Sequence, residues 1–259
     1  MIDRPVWSPA QYDRFRSHRD RAVLDLMARF PPDLDPREIW DLGCGTGEHA
    51  AMLKRRWPRS TVHGLDSSPD MLERARALPD DVSWRLGDVA AWTPDHLVDL
   101  ILANASLQWL GDHERLLPRI AERLALGGVF ACQMPMAWET VHHKILRDLA
   151  AEPPWRDLIA GVDTIQPLLP AGRYYDVVMS VCSEADLWST TYLQVLQGED
   201  AVLEWMKGTA LRPYLTALSG AARNDFLSAL SPRLSEVFPQ RADGTTLMPF
   251  PRLFLIARR

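Results

Sequence analysis

The run Asp41-Leu42-Gly43-Cys44-Gly45-Thr46-Gly47 sets three alternating glycines directly behind a carboxylate. Glycines so spaced let the backbone turn tightly and leave no Cβ between the chain and a ligand lying against it. Two more acids follow in similar settings, Asp66 closing Val62-His63-Gly64-Leu65 and Asp88 closing Arg85-Leu86-Gly87. A carboxylate at a strand end can accept from both hydroxyls of a ribose, the physics used in dinucleotide folds. Asp41 is placed to meet a cationic amino group. Asp88 suits the amino group of adenine, with the Val89 backbone N–H on a ring nitrogen. Any one of these acids alone is more often a solvated loop residue or a helix cap. Three of them behind three successive strands make a set.

Spacing also says what the ligand lacks. A dinucleotide fingerprint has its third glycine where this chain has Glu48. An acid at a helix start opposes the pyrophosphate that the positive helix terminus would otherwise attract. A ligand without phosphate, such as an adenosyl sulfonium, avoids that repulsion.

These residues need strands to carry them. Residues 19–30 place Ala22, Val23, Leu26 and Met27 on one face of an amphipathic helix. Glu38–Leu42, Ser60–Leu65, Val82–Leu86, Val98–Ala103 and Val129–Met134 are predicted as five strands. Between them lie helices over His49–Trp57, Pro69–Ala77 and His113–Leu124, the last stopping at Gly127-Gly128. Such alternation predicts an α/β fold, a doubly wound, mostly parallel sheet with ligands at the carboxyl ends of its strands. The second half predicts helices at His142–Ala151 and Tyr174–Cys182, a strand at Ala185–Leu196, helical pieces over 199–238 and a last strand at Leu253–Ala257. We expect one domain over 1–259, with a cofactor core near 35–135. Cap and substrate elements, near 1–20, 138–182 and 198–240, are expected over the strand ends.

Composition narrows the class. The chain has 259 residues, 47% of them apolar, enough for a full core, and its net charge is −5. That acidic balance speaks against a nucleic-acid partner, which needs clustered Lys and Arg. No apolar stretch is long enough to span a membrane, and Met1-Ile2-Asp3-Arg4-Pro5 does not look like a leader. Cys44, Cys132 and Cys182 lack metal-ligand spacing, and His142 and His143 are adjacent, so no metal is expected. A cytoplasmic location fits; oligomeric state is not legible.

The run Asp41–Gly47, with Asp66, Asp88 and Asn104-Ala105-Ser106-Leu107-Gln108-Trp109, resembles the motif series of class I S-adenosylmethionine-dependent methyltransferases. The resemblance implies S-adenosylmethionine as cofactor and S-adenosylhomocysteine as product. It assigns cofactor binding to Asp41, Gly43, Gly45, Gly47, Asp66, Ser67, Asp88, Val89 and Asn104, and turns the loop after the fourth strand toward the methyl group. A longer series is similar to the trans-aconitate 2-methyltransferase family. It comprises Trp7-Ser8-Pro9 with Tyr12 and Phe15, Gln133-Met134-Pro135, Trp188-Ser189-Thr190-Thr191-Tyr192, Trp205, Gly208 to Leu215, and Phe250-Pro251-Arg252-Leu253-Phe254. Met136-Ala137 departs from that pattern, which commonly has Asp-Asn there.

This second resemblance implies esterification of a carboxylate on a small polycarboxylic acid. A carboxylate is already ionised at neutral pH, so no catalytic base is required, and alignment is the main task. Gln108 and Trp109 are the positioning candidates. The acceptor's other carboxylates call for arginine forks and hydrogen-bond donors. The candidates are Tyr12, Arg21, Gln108, Gln133, Tyr175, Arg212 and Arg252, with Arg173 expected to be solvated. Two alternatives stay open: a methyltransferase for another free carboxylate, such as that of malonyl-carrier protein, and a non-catalytic S-adenosylmethionine-binding module.

Overall fold

The computed structural model describes residues 16–162 and 166–259. Tyr12 lies outside the described residues. Seven strands form one sheet: β1 Glu38–Leu42, β2 Thr61–Asp66, β3 Ser83–Leu86, β4 Val98–Asn104, β5 Leu124–Pro135, β6 Glu184–Gln197 and β7 Thr245–Arg258. Their order is β3-β2-β1-β4-β5-β7-β6, with β1 to β5 parallel and β7 antiparallel to β5. The order reverses between β1 and β4, which is where an open α/β sheet leaves a crevice at its carboxyl ends. The helices are α1 Arg16–Ala28, α2 Glu48–Arg56, α3 Pro69–Ala75, α4 His113–Ala121, α5 Val141–Ala150, α6 Trp155–Leu158, α7 Ala171–Met179, α8 Ala201–Lys207, α9 Arg212–Ala217 and α10 Gly220–Val237.

The chain groups into two compact units. The first, 19–135 with 168–190 and 252–259, holds β1 to β5, α2, α3, α4 and α7. Its central strands are buried nearly throughout, as a sheet covered on both faces requires. The predicted face of α1 (Ala22, Val23, Leu26, Met27) is buried. Pro69 opens α3 behind Ser68, whose hydroxyl accepts from the Met71 N–H at 3.4 Å.

Three predicted boundaries are corrected. Helix α4 ends at Ala121, and β5 begins at Leu124 and runs through Gly127-Gly128 instead of starting after them. Gly127 has φ +78°, and a Cβ on Gly128 would lie 2.9 Å from the Ala125 carbonyl oxygen. The pair therefore makes an irregularity inside a strand, where the register with β4 shifts between Val98 and Leu100. Helix α7 starts behind Pro170, earlier than expected, and ends at Met179. Strand β7 starts at Thr245, eight residues before the predicted Leu253. Pro249 and Pro251 hid that extension, yet both lie beyond Arg252, the last β7 residue paired with β5, where no donor to β5 is needed.

The second unit comprises 136–167 and 191–251. Leu146, Leu149, Leu203, Met206, Leu211, Phe226, Leu230, Leu234 and Met248 form its core, from α5, α8, the start of α9, α10 and β7. Trp155 meets Phe226 edge-on at 5.5 Å, and Arg233 grips Glu152 through two 2.7 Å hydrogen bonds. Among the described residues no helix is long and apolar enough to cross a membrane.

His142 is packed between Phe250 and Phe238, with His143 at 5.1 Å. Burial, reinforced by the neighbouring imidazole, pulls the His142 pKa down to about 3; burial, with Arg147 beyond it, pulls that of His143 to about 4. Both rings stay neutral in the fold, whereas an unfolded chain protonates them below the ordinary value of 6.5. Stability must therefore fall as pH drops from about 6.5 toward 4, because the unfolded state binds more protons there. Urea midpoints measured across that range should decline, and His142→Phe should flatten the decline. An equal acid slope in the variant would exclude His142 as its source.

Candidate active site

Strand β1 delivers Asp41 and Leu42 into the glycine loop, which is pinned from β2. The Gly43 and Cys44 N–H groups donate to the Leu65 carbonyl at 2.8 and 3.0 Å. The Asp66 carboxylate accepts from the Gly45 N–H at 2.9 Å and from the Ser68 N–H at 2.8 Å. One acid thus holds the loop and starts α3. That bracing role was not evident from sequence, where Asp66 was assigned to ribose alone.

Gly43, Gly45 and Gly47 all have positive φ, at 77°, 54° and 88°. Their missing β-carbons serve different ends. A Cβ on Gly43 would sit 2.3 Å from that of Ser106, whose hydroxyl donates to the Leu42 carbonyl at 2.7 Å. A Cβ on Gly47 would strike the Trp84 ring at 2.5 Å, and one on Gly64 would strike the same ring at 2.5 Å. At Gly45 a Cβ would meet nothing within 4 Å. Gly45 is the glycine that borders open space.

Asp41 is 1% exposed, and its Oδ2 has no hydrogen-bond partner. Burial pushes its pKa up to about 7; Asp66 and Glu48 add to the rise and His49 opposes it. Burial also raises Asp66, against three backbone N–H groups that favour its charge. The Cys44 thiol is held well above its usual range by the same burial and the same acids. Asp88 accepts from the Ala90 N–H at 2.9 Å and caps the short turn Val89–Ala91, with Val89 buried.

The loop after β4 is fixed at each step. Ala105 takes φ +51°, uncommon for a residue with a side chain, and its N–H donates to the Gln133 carbonyl at 2.8 Å. Gln108 donates to the Ala105 carbonyl at 2.7 Å. Asn104 and Gln133 are ladder partners on β4 and β5 and so share a face of the sheet. Gln133 is fully buried and accepts a 2.9 Å hydrogen bond from Arg252, itself 2% exposed. Buried, without a protein partner, are Asn104 Oδ1, Gln133 Nε2 and Gln108 Oε1.

The remaining candidates are dispersed. Trp109 and Tyr175 are exposed, as is Arg21 on α1. Arg173 pairs with Glu114 at 2.7 Å, both groups half-exposed. Arg212, the first residue of α9 in the second unit, is partly buried, and burial lowers its pKa.

Residues 39–128 match the methyltransferase-domain family. Trans-aconitate 2-methyltransferase of Azoarcus sp. strain BH72 is 44% identical, over 98% of this chain and all of the relative. The Streptomyces coelicolor enzyme of the same name is 43% identical, over 98% and 87%. Among solved structures, the YcgJ protein of Bacillus subtilis shares the fold at a TM-score of 0.61 and 14% identity, covering 92% of this chain and 98% of its own. Fold and site thus define a class I methyltransferase, with S-adenosylmethionine as methyl donor and S-adenosylhomocysteine as product. Within that class the chain belongs to the trans-aconitate 2-methyltransferase family.

The loop fits that donor. Open space at Gly45 leaves backbone accessible, and a partnerless carboxylate oxygen on Asp41 suits a cationic amino group. Two outcomes follow. Gly43→Ala should destabilise the apoprotein by roughly 2–5 kcal/mol, the Ser106 clash adding to left-handed strain. Gly45→Ala should cost only about 1–2 kcal/mol of left-handed strain, yet weaken S-adenosylhomocysteine at least about tenfold by filling its space. Equal affinity for wild type and Gly45→Ala would place the ligand elsewhere.

Binding a cation beside Asp41 favours its charged form, so below pH of about 7 binding must release a proton. Calorimetry should find affinity rising as pH climbs through about 7 and levelling above it, with Asp41→Asn removing the slope. A slope retained in Asp41→Asn would assign the proton to another group.

Proposed function

We propose that the chain transfers the methyl group of S-adenosylmethionine to a carboxylate of trans-aconitate, giving a monomethyl ester. The observation that carries this reading is the identity to trans-aconitate 2-methyltransferases, 44% and 43% over 98% of the chain. Arg252, nearly fully buried and bonded to the Gln133 amide, offers the fork geometry that suits a carboxylate of such an acceptor.

The donor supplies an activated methyl group when bound. Asp41, Gly43, Gly45, Gly47, Asp66, Ser67, Asp88, Val89 and Asn104 hold it, as the resemblance assigns. The acceptor arrives ionised, so the chain orients an oxygen and does not remove a proton. Arg252 and Gln133 fix a second carboxylate of the acceptor. Gln108 and Trp109 set the loop beside the reacting carboxylate. Arg212, Arg21, Tyr175 and Tyr12 keep their acceptor-binding assignment on the resemblance. The enzyme acts in the cytoplasm on a small molecule, without a nucleic-acid or membrane partner.

Methyl-ester formation should be screened over small di- and tricarboxylates, with trans-aconitate giving the highest kcat/KM. Arg252→Met keeps the volume and removes the fork, and should lower kcat/KM by about 2–5 kcal/mol of charge-paired binding, with Arg252→Lys recovering part. The affinity for S-adenosylhomocysteine should hold. A loss of melting temperature with unchanged kinetics would make Arg252 a structural ion partner. At saturating S-adenosylmethionine the wild-type rate should stay flat with pH well above the acceptor's own ionisation; a neutral-range dependence that persists there across acceptors, and in Asp41→Asn, would require a protein base.

A further inference from the structure

Outside the residues assigned above, the buried polar cluster with the most complete geometry joins α4, α7 and the loop after β4. His113 Nδ1 lies 2.5 Å from the Tyr174 hydroxyl, and His113 Nε2 lies 2.9 Å from the Leu107 carbonyl oxygen. A carbonyl can only accept, so Nε2 carries the proton and Nδ1 accepts from the tyrosine. The Tyr174 hydroxyl in turn accepts from the Leu169 N–H at 3.4 Å. The protons therefore run one way, from Leu169 through Tyr174 and His113 to Leu107. His113 is 8% exposed and Tyr174 is fully buried, and burial raises the phenol's pKa, so it keeps its proton.

Docking of α4 on α7 does not need this chain. The same helices are joined at the surface by Arg173 and Glu114 at 2.7 Å. What the imidazole adds is a grip on the turn Leu107–Trp109, which carries the two positioning candidates. The preceding Ser106 is fixed separately, by its hydroxyl on Leu42 and its packing at Gly43. The cofactor side of the loop is thus held from β1, and the acceptor side from His113.

We propose that His113 and Tyr174 are positioning residues for methyl transfer, setting the loop Leu107–Trp109 through a hydrogen bond to the Leu107 carbonyl. They touch no reacting atom; they act through the loop. The inference rests on the methyltransferase reading of the site.

Side-chain amides separate this role from simple docking. Gln places its amide nitrogen near imidazole Nε2, and Asn places its amide near Nδ1. His113→Gln should keep the Leu107 bond and at least about a third of wild-type kcat. His113→Asn, which gives up the Leu107 carbonyl, should lower kcat tenfold or more, and Tyr174→Phe, which leaves Nε2 on Leu107 but frees the ring to turn, should lower it about threefold to fivefold; in both, the KM for S-adenosylmethionine and the Kd for S-adenosylhomocysteine should move less than threefold. Amide exchange of Leu110, whose N–H bonds to the Leu107 carbonyl at 2.9 Å, should speed up in those two variants and not in His113→Gln. That readout needs no acceptor, so it tests the dyad even if trans-aconitate proves inert with wild-type enzyme. Equal kcat and equal exchange in His113→Gln and His113→Asn would overturn the proposal. So would Tyr174→Phe that loses melting temperature alone.

Discussion

Gly43 has no room for a β-carbon because Ser106 occupies that place, and the whole ligand-bearing edge of the sheet depends on this contact. It brings the loop after β4 against the loop after β1 at the point where strand order reverses. Once the two loops touch, the Ser106 hydroxyl can satisfy the Leu42 carbonyl, and the backbone of Gly43 and Cys44 is free to turn to Leu65 on β2. Asp66 completes the frame by taking the Gly45 N–H. Three strands are therefore tied through backbone groups and the short side chains of Ser106 and Asp66, which is a stiffer tie than long side chains would give.

The same frame makes the site electrostatically costly. Holding the Asp41 carboxyl at a pKa of about 7 corresponds to a penalty on the order of 4 kcal/mol on its charged form. Asp66 and Glu48 raise that penalty, and His49 offsets only part of it. An apolar residue at 41 would pack at lower cost. A donor bearing positive charge, in the reading proposed above, would offset that cost and turn it into selectivity. An anionic ligand would be repelled by the ionised Asp41, and a neutral one would gain only a hydrogen bond from it.

Much of this was legible in the sequence because it is local. Strand β1 has the predicted limits, and Asp41 and Asp66 stand at strand ends because alternating apolar runs and glycines mark those ends unambiguously. What was not legible depends on residues far apart in the chain. Nothing near Gly47 or Gly64 announces that the Trp84 ring covers both. His113 and Tyr174 are 61 residues apart, and neither lies in a motif. The division of labour among the three glycines needed the neighbours' positions, since all three share a backbone conformation. Gly127-Gly128 and Pro249 with Pro251 misled for a related reason. Their local propensity is to end elements, but an irregular ladder and a segment without a β5 partner accommodate them.

Buried polar atoms divide into two kinds in the sheet unit. Around His113 every ring nitrogen has a partner, and the tyrosine between two backbone segments both donates and accepts. Along the carboxyl ends of β1, β4 and β5 the pattern is opposite, with Asp41 Oδ2, Asn104 Oδ1, Gln108 Oε1 and Gln133 Nε2 all lacking a protein partner. Such an atom costs roughly 1–3 kcal/mol unless something else bonds it. While others, such as Trp40 Nε1 and Trp92 Nε1, lie elsewhere in the unit, these four gather on adjacent strands and the turn that follows. They include acceptors and a donor, which suits a ligand bearing both an ammonium and carboxylates better than one of a single charge type. The satisfied cluster and the unsatisfied row meet at Leu107 and Gln108, neighbours in one short turn. Under the proposal for His113, rigidity on one side of that turn would keep the polar atoms on the other side apart and open to a ligand.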